Sequence, residues 1–324
     1  MFILVTGCAG FIGWMVSRKL IQEGYHVIGI DNMNNYYDRR LKEWRLKDLQ
    51  RMSGFSFYRV DIEDKESLVT LFRQTRFDAV INLAAMAGVR GSIRNPHIYF
   101  TTNVLGSLNL LELMKEHKVQ KYVLASTSSL YAGQKEPFKE TLDVSSPISP
   151  YAASKKAAEV LAYTYHYLYG IDVTVLRYFT VYGPAGRPDM SIFRLIYCAL
   201  KGKEAKIFGD GTQRRDFTYV ENIAEGTVKS LKPLGFEIIN LGSSASYTLN
   251  EVIELIEKYT QRTIKKKHCK FNRADLRTTC ADITKARYML DWVPSVNLEQ
   301  GIKETVEWMI ENWDWLRKVR ISGG

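Results

Sequence analysis

No run of about 18 uncharged apolar residues occurs in the 324-residue chain, so a membrane-spanning helix is not expected. Met1 leads directly into the strand-like run Phe2-Ile-Leu-Val-Thr6, which leaves no room for a secretory signal. The expected location is therefore the cytoplasm, with no membrane partner. Cysteine is scarce. The four present, Cys8, Cys198, Cys269 and Cys280, lie far apart, without the short paired spacings of a zinc site or the density of a disulfide scaffold, and no metal is expected. No internal repeat or low-complexity segment is visible. Acidic residues are the minority, 35 Asp and Glu against 45 Lys and Arg, for a net charge of +10. That balance admits a nucleic acid, an acidic small substrate or a solvated basic surface. The densest cluster, Lys265-Lys-Lys-His-Cys-Lys270, lacks interleaved aromatics and any nucleic-acid motif. It reads as a solvated face, and no nucleic-acid partner is expected.

What is present begins with apolar residues at 46%, enough at this length to bury a full core in one large domain or two intimately joined ones. Through the first part of the chain, short β-branched runs alternate with amphipathic stretches, as a parallel sheet built of βαβ units requires. The spacing predicts strands at Phe2–Thr6, His26–Ile30, Phe55–Val60, Ala79–Leu83, Lys121–Ser126 and Asp172–Tyr178. Helices are predicted at Phe11–Glu23, Leu41–Arg51, Lys65–Arg73, Pro96–His117 and Tyr151–Tyr169. The fold class is thus α/β, a Rossmann-type doubly wound sheet. After Gly183 the alternation breaks into the turn Gly183-Pro-Ala-Gly-Arg-Pro188, a helix and a second turn at Gly209-Asp-Gly211, which reads as a smaller C-terminal domain capping the sheet. Ile238–Gly242 reads as one more strand and Thr248–Tyr259 as a helix. The expected division is residues 1–180 with a return segment near 216–245, and residues 181–324 as the smaller unit.

Immediately after the first strand comes Gly7-Cys-Ala-Gly10-Phe-Ile-Gly13, which leads into a helix. Glycines so spaced bring backbone N–H groups and a positive helix terminus against a diphosphate, where side chains would obstruct the approach. Asp31 ends the second strand about 20 residues on, where a carboxylate can hydrogen-bond ribose hydroxyls and repel a 2′-phosphate. No arginine directly follows it, so the expected cofactor is NAD rather than NADP. Asp61, after the third strand, is placed either to accept from an adenine amino group or simply to shape a strand-end turn.

Tyr151 and Lys155 stand four apart at the start of a strongly helical stretch, on one face and one turn apart. An ammonium beside a phenol, with a positive nicotinamide nearby, favours the phenolate and pulls its pKa from near 10 toward neutrality. That makes a usable general base. The fifth strand ends in Ser126-Thr-Ser-Ser129, hydroxyls at the carboxyl edge where sites of parallel sheets collect.

These motifs together resemble the extended short-chain dehydrogenases/reductases, specifically the NAD-dependent sugar-nucleotide epimerases and dehydratases. The resemblance spans essentially the whole chain. It rests on Thr6-Gly-Cys-Ala-Gly-Phe-Ile-Gly13, Asn82-Leu-Ala-Ala85, Thr127 with Tyr151-x-x-x-Lys155, Arg177-Tyr-Phe179 and Arg215-Asp-Phe217. The resemblance implies a catalytic triad of Thr127, Tyr151 and Lys155, with Lys155 also at the nicotinamide ribose. It implies cofactor contacts from Gly7, Gly10, Phe11, Ile12, Gly13, Asp31, Asn32, Asp61 and Ile62, and from Leu83, Ala84, Ala85, Asn103 and Phe179. Arg215 matches the arginine that meets the UDP part of the substrate. Where relatives often carry Arg-x-Gly-Asp, this chain has Asn272-Arg-Ala-Asp275, and which of Arg273 and Arg277 reaches the diphosphate stays open. The helices Pro96–His117 and Tyr151–Tyr169 resemble those that pair between subunits, which implies a homodimer.

Members of this family oxidise the sugar at C4 and differ in the steps after that oxidation. Dehydratases resemble Thr-Asp-Glu after the catalytic threonine and uronate decarboxylases Thr-Ser-Glu, whereas this chain has Thr127-Ser128-Ser129. Without those carboxylates an elimination lacks its acid–base pair, and hydride return to the opposite face of C4 remains. Thr180-Val-Tyr-Gly-Pro-Ala-Gly-Arg187-Pro-Asp-Met190 and Asp31-Asn-Met-Asn-Asn-Tyr-Tyr37 resemble UDP-glucuronate 4-epimerases closely. Hydroxyls of Ser128, Ser129 and Thr180, with Arg187 near, would suit a C6 carboxylate. The other reading of Arg187 is a surface turn arginine paired with Asp189. The expectation is 4-epimerisation of UDP-glucuronate, the alternatives being a 4-epimerase of UDP-glucose or UDP-N-acetylglucosamine, a UDP-glucuronate decarboxylase, or a non-catalytic NAD-binding relative.

Overall fold

The alternation resolves, in a computed structural model that describes residues 1–270 and 276–321, into one seven-stranded parallel sheet with helices packed on it. Six strands come from the first part of the chain: β1 (Phe2–Thr6), β2 (His26–Ile30), β3 (Phe55–Tyr58), β4 (Ala79–Asn82), β5 (Lys121–Thr127) and β6 (Asp172–Tyr178). Between them run α1 (Phe11–Gln22), α2 (Arg39–Leu49), α3 (Lys65–Gln74), α4 (Val89–Arg94), α5 (His97–Phe100), α6 (Gly106–Glu116) and α7 (Pro150–Tyr169). The chain then leaves the sheet through β7 (Thr180–Tyr182), α8 (Ser191–Lys201), β8 (Ala205–Phe208), β9 (Arg214–Arg215) and β10 (Phe217–Tyr219). It returns along α9 (Val220–Lys229) to β11 (Phe236–Leu241), which pairs with β6. The rest is β12 (Tyr247–Thr248), α10 (Leu249–Thr260), β13 (Lys266–Cys269), α11 (Thr284–Leu290), α12 (Leu298–Glu311) and α13 (Trp313–Leu316).

The strand order is β11-β6-β5-β4-β1-β2-β3. Because β1 borders both β2 and β4, the winding reverses there, and a crevice opens at the carboxyl ends of these strands. Both faces of the sheet are covered, which is why its central strands are apolar throughout rather than alternating. Successive residues of β1 serve different cores: Ile3 and Val5 pack with Val27, Ile81 and Val123 on one face, and Leu4 packs with Ile30, Val80 and Leu124 on the other. A separate core joins α8, α10 and α12 through Ile192, Ile196, Val252, Ile256, Ile302 and Val306. Thr248 and Glu251 form a capping box that starts α10.

Strand and helix limits shift slightly from the sequence reading, with β3 ending at Tyr58 and β4 at Asn82. The larger difference is the expected helix Pro96–His117. It is interrupted by a wide π turn at Thr101–Leu105 between α5 and α6, a distortion with no periodicity signal. The turn contains Asn103, whose side chain faces inward and ties it to Met86 and Ser154.

Candidate active site

A cavity of about 650 Å³ follows the carboxyl ends of the central strands. At one end, Gly7 adopts a left-handed backbone (φ 67) and lies so close to the end of β4 that a Cβ would stand 2.8 Å from the Ala84 nitrogen. A Cβ on Gly13 would come within 2.2 Å of the Gly7 oxygen. Glycine is thus required sterically at both positions, and Gly10 closes the turn by donating its N–H to the Gly7 carbonyl at 2.9 Å. The N-terminus of α1 carries no side-chain cap and no acidic residue in its first turn. Its N–H groups and dipole are left for an anion beside Gly10, Phe11 and Ile12, which line the cavity. The loop therefore fits a dinucleotide diphosphate.

Further along the same wall, the Thr6 hydroxyl donates to Asn82 (2.7 Å) and accepts from the N–H groups of Leu83 and Ala84. This holds the Leu83-Ala84-Ala85 strand end against the cavity. Asp31 lines the cavity too, but its Oδ1 already accepts from Met33 N–H at 2.8 Å and Lys42 Nζ at 3.0 Å. The Asn32 amide donates to Asp61 at 2.8 Å, and the other Asp61 oxygen accepts from Glu63 N–H. Asp61 thus shapes its turn while facing, with Ile62, the same space. Asn103 differs from expectation. Its amide is spent on the Met86 backbone and the Ser154 hydroxyl, and it does not line the cavity. It orders the wall from behind.

Ser149 caps α7 and Pro150 occupies its first turn, which places Tyr151 and Lys155 on the helix face nearest the end of β5. Thr127, Ser128, Ser129, Tyr151 and Lys155 all line the cavity. Burial raises the Tyr151 phenol above its ordinary value, and the Thr127 hydroxyl and Arg187 charge oppose that rise only in part. Lys155 is lowered to about 8 by burial, against the pull of Glu159. The direction for Tyr151 is opposite to the one expected for a phenol with a nicotinamide beside it, and its largest cause is burial. Lys155 Nζ donates to the Ala125 carbonyl at 2.8 Å, and the phenol sits edge-on to Tyr99. Behind Lys155, Glu159 accepts from Ser126 at 2.6 Å and from Arg177 at 2.8 and 3.0 Å. Arg177 of the Arg-Tyr-Phe motif is therefore a buried support for the β5 and β6 ends.

Phe179, Thr180, Arg187 and Arg215 line the same cavity. Arg187 pairs with Asp189 at two points, donates to the Ala87 carbonyl at 3.1 Å, and faces the Tyr36 and Tyr37 rings at 5.5 and 5.9 Å. The pairing anticipated as the alternative is real, but it stands in the cavity wall rather than on the surface. Burial would raise Asp189, and the guanidinium overrides it, holding the carboxyl below its usual range. Arg215 Nη1 donates to the carbonyls of Arg214 and Arg277. The Arg277 side chain is exposed and does not reach the cavity, and Arg273 lies outside the described residues.

The sequence reading missed other cations here. Lys42, Arg90 and Arg194 also line the cavity. Arg90 stacks on Phe208 at 3.7 Å, and Arg194 is lowered by burial, with the like charge of Arg90 adding to the effect. The available signal was local only for Arg194, which stands amid buried Ile192, Phe193, Leu195 and Ile196 on α8, whereas α2 carries several other cations and nothing local sets Lys42 apart. A lone cation within an apolar stripe is worth attention.

A diphosphate cradle, a Tyr/Thr/Lys cluster and polar, arginine-bearing walls in one cavity suit a dinucleotide set against a nucleotide-linked sugar. The model of the GDP-mannose 4,6 dehydratase family matches residues 4–305. The chain is 53% identical to a UDP-glucuronate 4-epimerase of Thermodesulfobacterium geofontis over 321 residues, 99% of each chain. The crystal structure of UDP-glucuronic acid 4-epimerase from Bacillus cereus with UDP-glucuronic acid and NAD is similar, with 38% identity and a TM-score of 0.91 over 96% of this chain and 100% of that one. UDP-glucose 4-epimerase of Thermotoga maritima with UDP-glucose aligns with 35% identity and a TM-score of 0.89, covering 97% and 100%.

Proposed function

We propose, from the premise that this chain belongs to the GDP-mannose 4,6 dehydratase-like family of NAD-dependent epimerases, that it interconverts UDP-glucuronate and UDP-galacturonate through a 4-keto intermediate. The observation that carries this reading is the continuity of one cavity from the Gly7–Gly13 cradle, past Thr127 and Tyr151, to Arg187. Bound NAD supplies the acceptor and later the donor of the C4 hydride.

The chain's own residues do the rest. Tyr151 takes the 4-hydroxyl proton and returns it, Thr127 holds that hydroxyl, and Lys155 supplies the nearby cation as the cofactor's positive ring enters. The strand end after Thr127 carries two serines and no carboxylate, so elimination finds no acid–base pair beside C5. After oxidation the sugar turns about its diphosphate linkage to present its other face. Ser128, Ser129, Thr180 and Arg187 hold the C6 carboxylate. A 4-keto uronate is a β-keto acid that loses CO2 when its carboxylate stands perpendicular to the ketone, so a fixed carboxylate protects the product.

Within this reading, residues 1–180 with the return segment 216–245 hold the dinucleotide, and residues 181–324 otherwise serve the UDP-sugar. Arg215 addresses the UDP part, and Asp31 the adenosine ribose. The chain forms a homodimer. Val160, Tyr163 and Tyr167 are at least half exposed along one side of α7, an apolar stripe that supports pairing with a second copy. Equilibrium sedimentation tests this, and a monomer at micromolar concentration rejects it. For the reaction, NMR of UDP-glucuronate incubated with enzyme and catalytic NAD+ should show UDP-galacturonate accumulating to equilibrium. CO2 release with a pentose product, or turnover of UDP-glucose alone, would overturn the proposal.

A further inference from the structure

Arg45 on α2 is fully buried, and no carboxylate is among its hydrogen-bond partners in the described residues. Its guanidinium serves instead as a clamp on three separate pieces of backbone and side chain. Nε and Nη2 donate to the Ala185 carbonyl at 2.9 and 2.6 Å, and Nη2 also reaches the Gly186 carbonyl at 3.1 Å. Nη1 donates to the Ala9 carbonyl at 3.1 Å and to the Tyr37 hydroxyl at 2.7 Å.

Ala9 belongs to the Gly7–Gly13 cradle, and Ala185 and Gly186 immediately precede Arg187. Tyr37 presents its ring to the Arg187 guanidinium. One rigid, planar cation thus ties the dinucleotide loop to the loop that carries the sugar-end arginine. The second loop needs holding, because Ala185 sits in the left-handed region at φ 55, a strained conformation for a residue with a side chain. A group that merely filled space between α2 and these loops would need no charge or fork geometry, and a lysine, whose donors all sit on one atom, cannot reproduce the bonds that Nε, Nη1 and Nη2 make to separate segments.

We propose that Arg45 is a positioning residue: it fixes Arg187 relative to the dinucleotide loop, and so sets the distance at which a uronate carboxylate is recognised once C4 faces the cofactor. This rests on the UDP-glucuronate reading given above. It also assigns a part to Tyr37 of the Asp31–Tyr37 segment, whose resemblance had no physical explanation.

The test is equilibrium binding of UDP-glucuronate, UDP-glucose and UDP to the NAD-loaded protein, for wild type, Arg45→Lys and Tyr37→Phe. Arg45→Lys should weaken UDP-glucuronate by about tenfold or more, with UDP and UDP-glucose held within about twofold, because only the uronate depends on where Arg187 stands. Tyr37→Phe should shift selectivity in the same direction by a smaller factor. Equal losses on all three ligands, or unchanged selectivity in folded Arg45→Lys, would overturn the proposal. If Arg45→Lys does not fold, unchanged selectivity in Tyr37→Phe does so instead. A wild type that does not distinguish UDP-glucuronate from UDP-glucose overturns the substrate reading and takes this inference with it.

Discussion

The Arg187 guanidinium meets Asp189 at two points, Nε to Oδ1 at 3.1 Å and Nη2 to Oδ2 at 2.6 Å, so the cation at the sugar end of the cavity is already paired. A substrate carboxylate there shares an oriented guanidinium rather than neutralising a loose one. On the proposed reading, losing it removes a charge-assisted hydrogen bond that only a uronate would make. Arg187→Ala should therefore lower kcat/KM for UDP-glucuronate about 10- to 100-fold more than binding of UDP-glucose. Parallel kinetics and inhibition by UDP-glucose measure the ratio, and equal losses would count against the carboxylate role.

Tyr151 is half-buried in the cavity wall, edge-on to Tyr99, and raised rather than lowered as it stands. The phenol thus holds its proton more tightly than a free tyrosine, and the Lys155 ammonium with a bound dinucleotide's positive ring would supply the opposing charge. Tyr151→Phe removes the proton acceptor and little volume, and should cut turnover by about 10²- to 10⁴-fold with UDP-sugar binding nearly intact. Single-turnover formation of NADH absorbance separates the two quantities. Retained turnover would reject the assignment.

The sheet and the cradle were legible in the sequence because each rests on local rules: apolar runs for doubly covered strands, glycines where a Cβ would strike Ala84 or Gly7. Tyr151 and Lys155 were legible because helical spacing brings them together. The hidden features depend on neighbours distant in sequence. Asn103 is 17 residues from Met86 and 51 from Ser154, so nothing local tells a wall support from a cofactor contact. The direction of the Tyr151 shift was hidden for the same reason, since it is set first by burial among residues distant in sequence. Beyond Thr260, β13 and α11 are short and follow their packing against β8 and β11, whereas α12 carries a period that could be read, burying Leu298, Ile302, Val306 and Met309 along one stripe.

Lys155 gives a stability prediction with a definite sign. Its folded pKa is lowered from the ordinary 10.5 to about 8, so folding disfavours the ammonium, which still predominates at pH 7. The resulting cost, on the order of 3 kcal/mol, is fully present below pH 8 and fades as pH rises toward 10.5. In the NAD-free protein, Lys155→Met should therefore be more stable than wild type at pH 7, less whatever the Ala125 hydrogen bond contributes. The difference should narrow by pH 9.5. Urea unfolding at both pH values checks this, and a pH-independent difference would show that the buried ammonium does not carry the cost.

Asp31 and Lys42 form a nearly dry pair, their side chains 5% and 7% exposed, at 3.0 Å. On the proposed reading the carboxylate would accept from the ribose while it neutralises the Lys42 ammonium, a cation that would otherwise attract a 2′-phosphate. Selection of NAD thus depends on the acid outweighing the base beside it. Asp31→Asn keeps the shape and Lys42 but removes the repulsion, leaving an uncompensated cation at the ribose end. NADP should then improve relative to NAD by about tenfold or more, because a charge-assisted hydrogen bond to the phosphate forms where a repulsion stood before. Titrating each dinucleotide into cofactor-stripped protein, with Asp31→Asn and Asp31→Asn/Lys42→Ala side by side, separates the two effects. The double variant should lose the NADP improvement, and if it keeps it, Lys42 is not the group that receives the phosphate.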